Sequence, residues 1–195
     1  MAAKLRYIYG TMGSTKTMRL LATAYDFEQK GIGFLAIKPA MDDRDGVNTI
    51  KSRIGIEREC ISFDFSVNLY ELIEKRKDDI KWVLVDECQF MTEKQVNELA
   101  LVVDNLSIEV MCYGLRTNFL GKCFDGSKRL FEIADEIEEV KAYCSCGNRA
   151  SFNARFDENG NFCNVGESIL IGGDSIYKPL CRKCFFEKMN LNSKI

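Results

Sequence analysis

The sequence predicts an α/β fold, a doubly wound and mainly parallel sheet, followed by a small unit held together by metal. Three observations carry this prediction. Strand-like apolar runs alternate with amphipathic helical patterns as far as residue 142, the pattern of a parallel sheet with helices on its faces. One run, Trp82-Val83-Leu84-Val85, passes straight into two adjacent acids, Asp86 and Glu87. Beyond residue 143 the pattern gives way to two tight cysteine pairs. The expected units are therefore 1–142, an α/β domain, and 143–195, a small metal-binding domain.

Composition sets the outer bounds. With 195 residues, 46% hydrophobic and 29% charged, the chain suits one globular domain with a small appendage. A net charge of −2 and a pI near 5.4 give no support for a nucleic-acid partner. No apolar run approaches the ~20 residues of a membrane span, so no membrane partner is expected. Met1-Ala2-Ala3-Lys4 leads directly into a strand-like stretch, and nine cysteines without an export signal point to a reducing, cytoplasmic setting. Histidine is absent. A proton acceptor must then be Asp, Glu, Lys, Tyr or Cys, and a structural metal must be held mostly by thiolates.

Leu5 to Tyr9 reads as the first strand. It runs into Gly10-Thr11-Met12-Gly13-Ser14-Thr15-Lys16-Thr17, and a helix follows with Leu20, Leu21, Ala24 and Phe27 on one face and Gly31 as its stop. Strand, glycine-bearing turn, Lys-Thr and helix describe a phosphate-binding loop, in which backbone N–H groups cradle phosphates, Lys16 reaches the β- and γ-phosphates and the Thr17 hydroxyl meets Mg²⁺. The pattern expects glycine where Thr15 stands, so a chance match is the competing reading. Gly33 to Lys38 is the next strand. The polar stretch from Ala40 to Gly55 reads either as a solvated loop or as a segment whose Arg44 and Arg53 meet phosphate.

Cys60 to Phe65 is a strand and residues 68–77 a helix with Leu69, Leu72 and Ile73 inward. The Trp82–Val85 run reads as a buried parallel strand, and in such sheets ligands bind beyond the carboxyl ends. Asp86 and Glu87 stand there, either as metal contact and proton acceptor or as caps of the next helix. Thr92 and Gln95 make a capping box before Val96, Leu99, Ala100 and Val103. Ile108 to Tyr113 is a further strand. Past its end, Phe119 and Phe124, with Phe90, either anchor loops or line a pocket for a flat ring. Ser127 opens a short helix with Leu130, Phe131 and Ala134, and Glu139 to Tyr143 is the last strand of the main sheet.

Cys144 and Cys146, then Cys181 and Cys184, flank a segment with a hairpin signal at 157–161. Four thiolates in two pairs suit a closed tetrahedral Zn²⁺ site, against a redox pair or buried thiols. A small unit with little core draws folding energy from such a metal. Ile169-Leu170-Ile171-Gly172-Gly173 reads as an ordinary loop or as a lid over a pocket.

Together these stretches, with Asp42-Asp43-Arg44, Ser52-Arg53-Ile54-Gly55, Asp86-Glu87-Cys88-Gln89-Phe90, Tyr113 to Phe119 and the run from Ile171 to Tyr177, resemble the type II thymidine kinase family, in order and in spacing. The resemblance implies a RecA-like P-loop NTPase core with a C-terminal zinc ribbon and lasso. It implies transfer of the γ-phosphate of ATP to the 5′-hydroxyl of thymidine or deoxyuridine. Glu87 is then the general base. Gly10, Thr11, Met12, Gly13, Ser14, Thr15, Lys16 and Thr17, with Asp86, Gln89 and Arg44, serve ATP and Mg²⁺. Met12, Phe90, Leu115, Phe119, Phe124 and Tyr177 surround the nucleoside, and the backbone from Ile169 through Gly173 reads the base edge. It further implies a homotetramer inhibited by dTTP. The chain departs from the family at Thr15, at Gly13, where a larger residue is usual, and at Asn153, where a small hydroxyl residue is usual. Those departures leave open a nucleotide-binding paralogue with impaired catalysis. A zinc-ribbon nucleic-acid module fits the acidic balance poorly.

Overall fold

In the computed structural model, residues 2–166 and 177–189 are described. Six strands form the main sheet: β1 (Leu5–Tyr9), β2 (Phe34–Pro39), β5 (Ile61–Phe63), β6 (Trp82–Val85), β7 (Glu109–Gly114) and β8 (Glu136–Glu139), in the order β5-β2-β6-β7-β1-β8. Every pairing in it is parallel. All the strand ends that matter for chemistry therefore open on one edge.

Alternation along the strands feeds two apolar layers. Leu5 and Tyr7 of β1 face one layer and Ile8 the other. The helix α1 (Lys16–Gln29) covers the second layer with Leu20, Leu21, Ala24 and Phe27, the expected face. The first layer is covered by α2 (Leu69–Glu74), α3 (Glu93–Leu106) and α4 (Asp125–Ile133). Thr92 and Gln95 close the expected capping box, with Gln95 N–H to Thr92 Oγ1 and Thr92 N–H to Gln95 Oε1 both at 3.1 Å. The stripe of α3 is Val96, Leu99, Val102 and Val103, with Ala100 only half-buried.

Four expectations are corrected. Residues 49–59 form an antiparallel hairpin, β3 (Thr49–Lys51) with β4 (Glu57–Glu59), where a loop was expected. Ile50, 1% exposed, plugs it into the α1 layer. The helix α2 stops at Glu74, three residues short of the expected end. α4 begins at Asp125, and Ser127 is inside it, its hydroxyl donating to the Leu115 carbonyl at 2.6 Å. The last strand of the main sheet ends at Glu139, where Glu139 to Tyr143 was expected. Val140 N–H still reaches the Tyr9 carbonyl at 2.7 Å, but Ala142–Tyr143 (β9) turns away and pairs with Arg149–Ala150 (β10).

The remaining pair, β11 (Phe152–Arg155) with β12 (Tyr177–Leu180), and α5 (Arg182–Lys188) pack on a third, smaller core of Phe152, Phe156, Phe162, Phe185 and the cysteines. Asp157 to Asn161 makes the expected tight turn between Phe156 and Phe162, which bridge across it. Among the described residues no helix is long and apolar enough to cross a membrane.

Candidate active site

Four neighbouring strands, β2, β6, β7 and β1, deliver their carboxyl-end loops to one cavity of about 730 Å³. Such a cavity is the place the topology predicts for a ligand.

The loop after β1 lines one end. Gly10 is required at its start, because a Cβ there would stand 2.4 Å from Ser14 Oγ and 2.6 Å from the Val140 carbonyl oxygen. Gly10 and Thr11 form the back of the loop, while Met12 through Thr17 face the cavity. Gly13 takes φ +77°. Thr15 takes φ 64°, the left-handed conformation in which glycine is usual and a β-branched residue is strained. The glycine at 13 therefore does not relieve position 15; both residues are left-handed. Thr15 is the N-cap of α1 and makes no side-chain capping bond. The first turn of α1 carries no acid, so its free N–H groups and helix dipole point positive charge into the cavity. Lys16 is buried and folds over the loop, donating to the Thr11 carbonyl at 2.8 Å and to Ser14 Oγ at 3.3 Å. Burial lowers its pKa, against the pull of Glu87 and Asp86.

The loop after β6 supplies the acids. Asp86 is buried, and Thr17 Oγ1 donates to its Oδ1 at 3.4 Å. Burial, with the Glu87 carboxylate beside it, pushes Asp86 above the ordinary carboxylate range. A divalent cation against Asp86 and Thr17 would return it to the anion, so this pair fits Mg²⁺ by donor chemistry. Glu87 also takes a left-handed φ, 49°, which turns its side chain out of the strand line. Arg44, from the loop after β2, donates to one Glu87 oxygen at 2.8 Å and to Asp42 at 2.6 Å. Burial works against that cation, but Asp42 and Glu87 outweigh it and raise its pKa. The other Glu87 oxygen accepts from Gln89 Nε2. Gln89 is buried, and its Oε1 accepts the Leu115 N–H at 2.9 Å. The general-base candidate is thus oriented through both oxygens.

The opposite end is apolar. Phe90 and Phe124 meet edge-on at 5.8 Å, and Met12, Leu115, Phe119 and Tyr177 line the same wall. Leu115 is pinned by Tyr7 Oη and Ser127 Oγ, which both donate to its carbonyl, at 2.8 and 2.6 Å. Ile169, Leu170, Ile171, Gly172 and Gly173 lie outside the described residues. Arg53, on the hairpin, lines the cavity with its guanidinium 3.0 Å from where a Gly13 Cβ would stand.

Sequence reasoning missed three participants. Lys38, 1% exposed, donates to the Gly46 and Thr49 carbonyls at 2.9 and 2.7 Å and so shapes the loop that carries Arg44. Its signal was present: a lysine inside an otherwise apolar strand. Asn118 and Thr117 also line the cavity. They carried no separate signal.

The Sγ atoms of Cys144, Cys146, Cys181 and Cys184 lie within 4.8 Å of one another. Tetrahedral Zn–S bonds of about 2.3 Å place sulfurs about 3.8 Å apart, and Cys146 and Cys181 are at 3.6 Å. The Asn148 backbone N–H pulls the Cys146 thiol down to about 6, whereas the neighbouring Cys181 pushes Cys184 up to about 12. Thiols so close cannot all ionise against one another, and a central dication removes that conflict. The donor set fits zinc.

A family model described as thymidine kinase matches residues 3–185. The chain belongs to the thymidine kinase family. The thymidine kinase of Haemophilus influenzae is 41% identical over 188 residues, covering 95% of this chain and 97% of that relative. That of Yersinia pestis is 40% identical over 187 residues, covering 95% of each. That of Zymomonas mobilis is 40% identical over 190 residues, covering 96% of this chain and 98% of the relative. Among solved structures, the Pif1 helicase from Candida albicans resembles 71% of this chain and 36% of its own at 15% identity and a TM-score of 0.45, too loosely for an argument.

Proposed function

We propose that this member of the thymidine kinase family transfers the γ-phosphate of ATP to the 5′-hydroxyl of thymidine, and of deoxyuridine, giving dTMP. One observation carries the reading: the Lys16–Thr17 loop, the Glu87 carboxylate and the apolar wall of Phe90, Leu115 and Phe119 share one cavity. The cavity thus presents a phosphate-binding loop, a carboxylate and an apolar wall to a phosphate donor and a flat-ringed acceptor.

Phosphoryl transfer asks chiefly for positioning and charge neutralisation. The loop N–H groups and Lys16 hold the triphosphate. Thr17 and Asp86 would hold Mg²⁺, which would supply charge neutralisation at the transferring phosphate. Glu87 accepts the proton of the attacking 5′-hydroxyl. Arg44 and Gln89 keep its carboxylate aimed and its lone pairs placed. Phe90, Phe124 and Leu115 exclude water around the base. Zn²⁺ on the four cysteines is structural. Family membership also supports a homotetramer inhibited by dTTP, working in the cytoplasm; light scattering tests the tetramer and an inhibition titration tests the dTTP effect.

Labelled ATP-Mg²⁺ offered with thymidine, deoxyuridine, deoxycytidine and deoxyadenosine tests the reaction. Label is expected in thymidine and deoxyuridine monophosphates only. Absence of all products from folded, zinc-loaded protein would overturn the reading.

A further inference from the structure

The strand β11 alternates between two neighbours, as a strand must. Phe152 and Ala154 face the aromatic core of the cysteine-bearing unit, Phe152 stacking on Phe185 at 4.5 Å. Asn153 and Arg155, out of phase with them, face the α/β body. The Arg155 guanidinium lies 3.7 Å from the centre of the Phe119 ring. Asn153 is 3% exposed and lines the active cavity. Its Oδ1 accepts the Met12 N–H at 2.7 Å, and its Nδ2 donates to the Thr117 carbonyl at 3.3 Å. An amide N–H can only donate and a carbonyl can only accept, so these partners fix which way the side chain points.

One buried side chain from the C-terminal unit thus joins the loop after β1 to the loop after β7. Both loops line the cavity: the first runs from Met12, on the apolar wall, into the Lys16–Thr17 turn, and the second carries Leu115 and Phe119. Both ends of the amide are engaged on backbone, so its chemistry goes to holding loops together. The phosphate loop needs holding. Thr15 is left-handed without a capping bond, and such strain persists only where surroundings over-determine it. The adjacent hydroxyls provide no other link, since Thr11 Oγ1 and Thr117 Oγ1 are buried without a hydrogen-bond partner among the described residues.

We propose that Asn153 is a positioning residue that couples the phosphate loop to the nucleoside end of the cavity, and that it maintains the strained Thr15 loop in its nucleotide-binding shape. The identity of the two ligands rests on the function proposed above; the coupling rests on the hydrogen bonds.

Calorimetric binding of ATP-Mg²⁺ to the zinc-loaded full chain tests it without depending on phosphate transfer. In Asn153→Val the Met12 N–H is left without its acceptor, and the Kd for ATP-Mg²⁺ is expected to rise about tenfold, with zinc content unchanged. Adding Thr15→Gly to that variant is expected to recover most of the loss, because a relaxed loop no longer needs the tether. A residue that merely stabilised the fold would lower the melting temperature while leaving ATP affinity and its rescue unaffected. Unchanged ATP affinity in folded Asn153→Val, or strictly additive effects of the two substitutions, would overturn the proposal. Should Asn153→Val not fold, Asn153→Ala carries the same comparison, because alanine likewise offers the Met12 N–H no acceptor, and unchanged affinity there is equally decisive against the coupling. A wild-type chain that binds ATP-Mg²⁺ but phosphorylates no nucleoside would remove the kinase reading and leave the coupling to be judged on the same binding data.

Discussion

Two residues at the active cavity, Thr15 and Glu87, hold left-handed backbone without being glycine. Each is strained where the chemistry is concentrated, a common place for strain. Thr15 lets the cost be measured. Glycine there relieves a left-handed β-branched residue but loosens the unfolded chain, so Thr15→Gly is expected to stabilise the protein by about 1 kcal/mol net. The urea midpoint should rise with an unchanged slope. A lower midpoint would mean that the Thr15 side chain makes a contact worth more than its strain. For Glu87 the test is chemical. Glu87→Gln preserves shape and the link to Arg44 through its amide oxygen, but it cannot take a proton. Turnover should fall by about 10²- to 10⁴-fold with thymidine affinity nearly kept. Unchanged turnover would exclude Glu87 as the base.

At the scale of elements, the loop after β2 depends on one lysine. Lys38 Nζ satisfies two loop carbonyls and stands 3.8 Å from Asp42, which in turn holds Arg44. Lys38→Met leaves those acceptors buried and unmet, so a loss of about 3 kcal/mol in denaturant stability is expected, together with slower turnover as Arg44 loses its place. A loss below about 1 kcal/mol would show that the loop holds itself. The sequence revealed such arrangements unevenly. β6 was legible because four apolar residues end in acids, and α3 because T-x-x-Q is a local signal. The β3–β4 hairpin was not, because its strands have three residues each and only Ile50 is buried. The end of the main sheet was misplaced because nothing local separates Glu139, which still pairs with β1, from Ala142, which pairs with β10. In the candidate site, the glycine-bearing loop after β1, the acids after β6 and the cysteine cluster were legible as motifs. The Asn153 tether spans 141 residues of sequence, and no local pattern encodes a contact at that distance.

For the whole molecule, the question is how far the cysteine-bearing unit supports a site whose phosphate loop and acids lie in the α/β body. Its own core is small, with Phe152, Phe156 and Phe185 packed beside the cysteines, so a metal on those cysteines would supply much of its folding energy. It meets the body through polar contacts that need a fixed register: Met12 to Asn153, Arg116 Nη2 to the Ser151 carbonyl at 2.7 Å, and the Arg149–Glu139 ion pair. The main sheet, in contrast, has two apolar layers of its own. Zinc removal is therefore expected to split the two. A strong chelator under reducing conditions should release one zinc per chain. Activity should then be lost while most of the far-ultraviolet circular dichroism of the α/β body remains. ATP affinity should weaken along with thymidine affinity, because the phosphate loop loses Asn153 when β11 loses its fold. If metal-free protein kept full ATP affinity and lost only thymidine affinity, the unit would serve the nucleoside alone. If it kept both, the four cysteines would have no part in shaping the site.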